Sequence, residues 1–189
     1  MAVQTPVIRK TGTRLTYEQY RALPEDGNRY EVVQGELLMT AAPRIDHQRV
    51  SANLQFILES YIRANNWGKL FDAPVEVYLG EEDIVQPDLV CVSREHEQII
   101  AEKNITGAPD LIVEILSPST ARYDRVLKAN MYARHRVPHY WVVDAEARTL
   151  EAFEWDNGHY RLIAAHAEDE KFQPSLFPNL TISLTELWK

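Results

Sequence analysis

Residues 109–116 read PDLIVEIL, an apolar run with a single carboxylate, Glu114, close to its centre. A short run that is apolar almost throughout is the pattern of an inner strand covered on both faces. Residues 87–92, PDLVCV, repeat the same grammar, with Asp88 at the start. An ionised carboxylate within such a strand is expensive unless it is paired or holds a cation. If the two strands are neighbours, Asp88 and Glu114 face a common point. Two close carboxylates repel each other, and a divalent cation relieves the repulsion. Oxygen ligands of this kind favour Mg²⁺ or Mn²⁺. The alternative for Glu114 is a buried ion pair with Arg122 or Arg125, since structural pairs perturb carboxylates as readily as catalytic ones do. Asp110, directly after Pro109, reads as a strand-entry turn residue.

Downstream of this run, Ser117-Pro118-Ser119-Thr120 predicts a loop ending in helix N-cap residues, with a helix over about Arg122–Arg136. Asp124, Lys128 and Tyr132 share one face of that helix. If the face looks back at the end of the Glu114 strand, the Lys128 ammonium is placed to orient an attacking water or stabilise a pentavalent phosphate. The bland alternative is an exposed Asp124–Lys128 pair. Pro138 then forces an extended strand at His139–Val143. A hairpin follows over Asp156-Asn157-Gly158, and a short helix is expected at Ser183–Trp188. Upstream, Thr16 and Gln19 have capping-box spacing for a short helix that ends at Pro24. Tyr30–Met39 predicts a hairpin around Gln34-Gly35. His47–Ala64 carries apolar residues at helical spacing, Lys69–Leu79 predicts one strand, Gly80–Asp83 a turn, and Glu95–Ile105 an irregular crossover. The order predicts an α/β chain with a mixed central β-sheet flanked by helices, in a single domain over residues 1–189, without repeats or linkers. No glycine-rich phosphate fingerprint is present.

The net charge of −8 argues against broad, non-specific nucleic-acid binding, although Arg122, Arg125, Lys128, Arg134 and Arg136 form a local basic run. No apolar run reaches the roughly 18 residues of a membrane helix, so no membrane partner is expected. The opening MAVQTPVIRKTGTRLT has no continuous apolar block and predicts no secretory signal. Cys91 is the sole cysteine and lies in the apolar run LVCV. It reads as a buried small hydrophobe, and the chain as suited to a reducing cytoplasm.

Taken with their spacing, YEVVQGELLM, DHQRV at a helix start, QPDLVCV, GAPDLIVEILSPST and DRVLKANMYARHRVPHYWVVD resemble the Uma family of predicted restriction endonucleases, a branch of the PD-(D/E)XK nuclease superfamily. The resemblance runs from about Leu15 to Phe153. It implies a restriction-endonuclease-like fold, with Asp88 as the motif aspartate and Glu114 as the acid of the (D/E)XK element. Leu116 stands where that element has its lysine, and Lys128 on the following helix is the matching position. Glu36 in the hairpin and His47 at the helix start also match. Glu36 would assist the metal shell directly or through water, or is simply an exposed strand carboxylate. His47 would contact a phosphate or orient a carboxylate, or is a polar surface residue. Tyr140 and Trp141 are read as core.

The expected function is Mg²⁺- or Mn²⁺-dependent endonucleolytic hydrolysis of nucleic acid, DNA foremost. Asp88, Glu114 and the Ile115 carbonyl would hold the metal, with Lys128 and Glu36 beside it. Arg122 and Arg125 would touch flanking phosphates, and a homo-oligomer, a dimer or higher, would serve two strands. Two other readings remain open. One is a nuclease scaffold that binds or assembles without cutting. The other is a metal-dependent hydrolase of some other phosphoester.

Overall fold

The computed structural model describes residues 14–24, 28–40, 43–117 and 121–189. The first thirteen residues and the N-cap expected at Ser119–Thr120 lie outside the described residues. The first described element is α1 (Tyr17–Arg21), where Thr16 and Gln19 form the reciprocal capping box. Strands β1 (Arg29–Val33) and β2 (Glu36–Thr40) form the expected hairpin. Its two-residue turn has positive φ at Gln34 (56°) and Gly35 (77°), matching the twist of the flanking strands. Helix α2 (Ile45–Asn65) follows and stops at Asn66, which adopts the left-handed conformation.

Lys69–Leu79, expected as one strand, is two: β3 (Gly68–Asp72) and β4 (Glu76–Gly80). Pro74 lies between them and cannot donate to a ladder. The break lets the chain leave one sheet for another. The turn expected at Gly80–Asp83 passes straight into β5 (Asp83–Val85), and β6 (Leu89–Ser93) comes next. The crossover holds a 3₁₀ turn at Arg94–Ile99 and a short β7 (Asn104–Thr106). Strand β8 (Leu111–Leu116) is buried at every position. The helix after it begins as a π-helix, Tyr123–Lys128, and continues as α3 (Ala129–Arg134). β9 (His139–Asp144), β10 (Thr149–Asp156) and β11 (His159–Ala167) follow, the last two joined by Asn157-Gly158 with φ 48° and 95°. β12 (Lys171–Phe172), β13 (Ile182–Ser183) and α4 (Leu184–Leu187) close the chain.

The larger sheet has six strands in the order β11-β10-β9-β8-β6-β3 and is mixed, with β8 and β9 parallel and its other pairs antiparallel. A second sheet, β2-β1-β5-β4-β7, shares no strand with it. Both faces of the larger sheet are covered, which explains why β6 and β8 read as unbroken apolar runs. On one face, Val50, Leu54, Leu58 and Ile62 of α2 pack with Leu111, Val113, Ile115 and Trp141. On the other, Ile112, Leu116 and Val142 meet Met131 and Tyr132 of α3 and Val33, Val77 and Val85 of the second sheet. Each large side chain buried this way stabilises the fold by about 1.5–3 kcal/mol. Cys91 is part of the first core, and its burial pushes the thiol pKa well up. Among the described residues no helix is long and apolar enough to cross a membrane.

Strand alternation now places the acids. Ile112 and Leu116 face the second core, so Glu114 between them does too. In the antiparallel β6–β8 pairing Leu89 opposes Val113. Continuing that register by one residue sets Asp88 opposite Glu114, where the second sheet and the π-helix converge.

Candidate active site

Glu114 is 3% exposed and Lys128 4%. The Lys128 ammonium donates to Glu114 Oε1 at 3.0 Å, and the Tyr132 hydroxyl donates to the same oxygen at 2.6 Å. Asp124, one π-turn before Lys128, lies 3.5 Å from the amine. Asp124, Lys128 and Tyr132 therefore do share a face, and it is a buried one. The pair that might have been a surface contact sits in the interior. A π-helix bonds i to i+5 and is wider than an α-helix, a form found often at functional sites.

The nearest partner of Lys128 is a residue the sequence reading passed over. Glu31 of β1 is 1% exposed, and its Oε2 accepts from Nζ at 2.8 Å. Its Oε1 also accepts from the Gln86 N–H at 2.8 Å, which ties the hairpin to the residue before Pro87-Asp88. The signal was available: Glu31 interrupts Tyr30–Val33 just as Glu114 interrupts its own apolar run. Glu36, the hairpin acid singled out from the sequence, lies at the turn end of the same hairpin face, opposite Val33 and half-buried. From this hairpin it is Glu31 that reaches Lys128.

Asp88 is 5% exposed and held by three groups. Arg29 donates to Oδ1 at 3.1 Å, while the His47 ring Nε2 (3.1 Å) and the Ile115 N–H (2.8 Å) meet Oδ2. His47 is buried at the start of α2, so its match to the family pattern corresponds to a contact with Asp88. In an extended strand the N–H and C=O of one residue face the same edge. Ile115 directs its N–H to Asp88, so its carbonyl opens on the same edge, beyond the end of the β6–β8 ladder.

Environment separates the two acids. Burial alone would raise the Asp88 pKa, but the His47 hydrogen bond and charge, Arg29 and the Ile115 N–H pull it down to about 2. Burial pushes Glu114 up to about 8 against the pull of Lys128, and the neighbouring charges of Asp124, Asp88 and Glu31 add to the rise. Burial also works against the Lys128 charge, but Glu114, Glu31 and Asp124 outweigh it and hold that pKa above its ordinary value. Among the described residues, four carboxylates (Glu31, Asp88, Glu114, Asp124) thus meet two permanent cations (Arg29, Lys128). Once Glu114 is ionised, these four acids outnumber Arg29 and Lys128 by two charges, the charge one divalent cation offsets.

The donor set suits a hard cation that keeps part of its water shell: Asp88, Glu114 and the Ile115 carbonyl, all oxygen. Among the described residues no three His, Cys, Asp or Glu side chains form a group able to hold a metal ion on their own. The residues therefore fit a Mg²⁺-type site with one or two carboxylates and do not fit a protein cage such as a structural zinc site. The arginines expected to touch phosphates differ from one another. Arg125 is committed to Glu151, with Asp144 3.7 Å away, while Arg122 is exposed ahead of the π-helix. Asp110 accepts from the Ser93 N–H (2.6 Å) and lies 2.7 Å from His96 Nδ1, a strand-entry role.

The raised pKa of Glu114 has a measurable consequence. Its unfolded value is the ordinary 4.5 and its folded value about 8, so between the two the folded chain binds more protons. Its contribution to stability is present below about pH 4.5 and is lost as pH rises through 8. Asp88, shifted the opposite way, acts only as pH falls below 3.8 toward 2, and His139, whose pKa burial lowers, acts below the ordinary 6.5. Metal-free protein therefore loses on the order of 1 kcal/mol in all between pH 7 and 9, with the slope flattening above pH 8. Thermal melts in a chelator should show that slope in the wild type and a flat line in Glu114→Gln.

The sequence profile of the Uma2 family, described as "Putative restriction endonuclease", matches residues 17–185. The "Uncharacterized protein sll1609" of Synechocystis is 24% identical over 143 residues, spanning 74% of this chain and 80% of that protein. The crystal structure of "a putative nuclease belonging to DUF820" from Anabaena variabilis is 18% identical, with a TM-score of 0.76 over 92% of this chain and 97% of that one. At that identity the likeness establishes a shared fold. The profile spans nearly all of the chain, including every residue of the Asp88–Glu114–Lys128 cluster, and on that match the chain belongs to the Uma2 family.

Proposed function

We propose that this protein is a Mg²⁺- or Mn²⁺-dependent endonuclease that hydrolyses phosphodiester bonds, with DNA as its substrate. The carrying observation is that Asp88 and Glu114 converge beside a buried lysine that two further acids, Glu31 and Asp124, also approach. In this reading Asp88, Glu114 and the Ile115 carbonyl hold the ion. When bound, it makes water a stronger nucleophile at neutral pH and offsets charge on the scissile phosphate. His47 and Arg29 keep Asp88 ionised and oriented. The Lys128 ammonium, fixed beside Glu114, offsets negative charge as it develops on the phosphate. Glu31 and Asp124 keep that amine charged and in place, and Tyr132 fixes the Glu114 carboxylate.

A second reading has its own support. Arg29 and Lys128 already bridge the acids, and carboxylates held by side-chain cations suit a scaffold that binds or assembles without cutting. Calorimetric titration with Mn²⁺ and Mg²⁺, followed by incubation with plasmid DNA, short oligonucleotides and a small phosphodiester, separates these readings. A nuclease binds the ion and cuts DNA. A folded protein that takes up neither ion leaves only the scaffold reading, and cleavage confined to the small diester moves the substrate elsewhere. Cutting both strands in one encounter calls for two active sites, so we place the active form as a homo-oligomer, a dimer or higher.

A further inference from the structure

A cavity of about 290 Å³ lies between the π-helix and α3 on one side and β9, β10 and β11 on the other. Its origin is visible in the side chains. Ala129 and Ala133, one turn apart, face the sheet where larger residues would fill the gap, and the wall opposite is made by Tyr140, Phe153 and Tyr160. The Tyr140 and Tyr160 rings stack at 5.5 Å and 27°, and Tyr140 and Phe153 at 6.2 Å and 28°. The phenol hydroxyls are tied down, Tyr140 donating to the Asp124 carbonyl and Tyr160 to the Val137 carbonyl, each at 2.9 Å. This is a rigid aromatic wall. Its rim is polar, with the Arg125–Glu151 ion pair and the exposed Asn130 and His159.

The cavity adjoins the acidic cluster. Ala129 and Ala133 occupy the helix face next to the one that carries Asp124, Lys128 and Tyr132. Tyr140, at the cavity wall, lies 5.2 Å from the Tyr132 ring, whose hydroxyl donates to Glu114. Two rings therefore separate the cavity from the proposed metal ligand.

We propose that this cavity receives one unpaired nucleobase of the substrate strand. A flat heteroaromatic ring with donors and acceptors on its edge matches an aromatic wall with an amide and an ion pair at its rim. The volume admits one such ring system and is below that of pockets for larger ligands. A base inside an intact duplex cannot enter, so the occupant is single-stranded or extruded. The source of the base rests on the nuclease reading above, while the binding itself does not.

The test uses the metal-free full chain and the four deoxynucleosides. The Trp155 indole N–H donates to the Ala133 carbonyl at 2.8 Å and reports on the rim by NMR, with the Trp67 and Trp188 indoles as distant references. At least one nucleoside should shift the Trp155 signal saturably, with a dissociation constant on the order of 1 mM. Ala129→Leu, which fills the cavity, should weaken that binding at least about tenfold, and Asn130→Ala, an exposed change that does not threaten the fold, should weaken it several-fold. No saturable shift with any nucleoside overturns the proposal, as does binding that survives both substitutions unchanged. Plasmid cleavage by the same wild-type sample is read separately. Cutting without a Trp155 shift removes the base pocket and leaves the nuclease, while a cavity-dependent shift without cutting supports the pocket and removes the nuclease.

Discussion

Glu114→Gln keeps the fold and reduces Mg²⁺-dependent DNA cleavage by at least about 10²-fold, an effect on the scale expected when a site loses a group that holds its metal. Stability survives because burial holds the Glu114 carboxyl protonated up to about pH 8 in the metal-free chain, and Gln has the same shape and the same neutral charge. The amide oxygen still accepts from Lys128 and Tyr132, the two donors that meet Oε1. Activity is lost because a neutral amide binds a hard dication far more weakly than a carboxylate does. Three measurements check this together: the thermal midpoint at pH 7, the Mn²⁺ binding isotherm, and the cleavage rate on plasmid DNA. Wild-type cleavage by a folded Glu114→Gln protein removes Glu114 from the chemistry. A collapsed midpoint would instead show that the ionised carboxylate supports the fold.

What could be read from the chain follows from which features leave a one-dimensional mark. The β6 and β8 strands were legible because burial on both faces removes alternation, and a carboxylate inside such a run stands out. Lys128 was legible only through the spacing of Asp124, Lys128 and Tyr132 and the family pattern, since an i, i+4 acid–lysine pair is equally at home on a solvated face. The separation into two sheets was not legible. Lys69–Leu79 carries strand formers on both sides of Pro74, and nothing local says that the chain changes sheets there. The π-helix was equally hidden, because one turn of i to i+5 bonding requires no residue that an α-helix would not accept. Glu31 escaped because Tyr30–Met39 was read as a hairpin, an element that ordinarily keeps one face in water. β1 in fact lies between β2 and β5 in a sheet that packs on the larger one, and its acid is buried. The same test that singled out Glu114 finds Glu31 once the hairpin is treated as interior.

Removing the amine instead of the acid should have the opposite balance of effects. In Lys128→Met the chain keeps a side chain of similar length and loses the cation that Glu31, Glu114 and Asp124 share. Leaving buried charges unpaired costs about 3–5 kcal/mol, a large part of the roughly 5–15 kcal/mol that holds a domain folded, and should lower the thermal midpoint by on the order of 10 °C. A solvent-exposed Asp124–Lys128 pair would be worth under about 1 kcal/mol, so the size of the loss itself reports where Lys128 sits. The loss should shrink as pH is lowered toward 5, because orphaned carboxylates escape their predicament by taking up protons. It should also shrink when Glu31→Gln is added, because the closest orphaned charge is then gone. The coupling between those two substitutions is read from a double-mutant cycle, and it should reach about 1–3 kcal/mol for residues in direct contact. Millimolar Mn²⁺ should raise the midpoint of Lys128→Met more than that of the wild type, since the variant retains the acids and lacks the competing cation. A Lys128→Met protein that melts with the wild type at every pH would mean that the amine is not buried among these acids, and the proposal that Asp88 and Glu114 hold a cation would lose its charge balance.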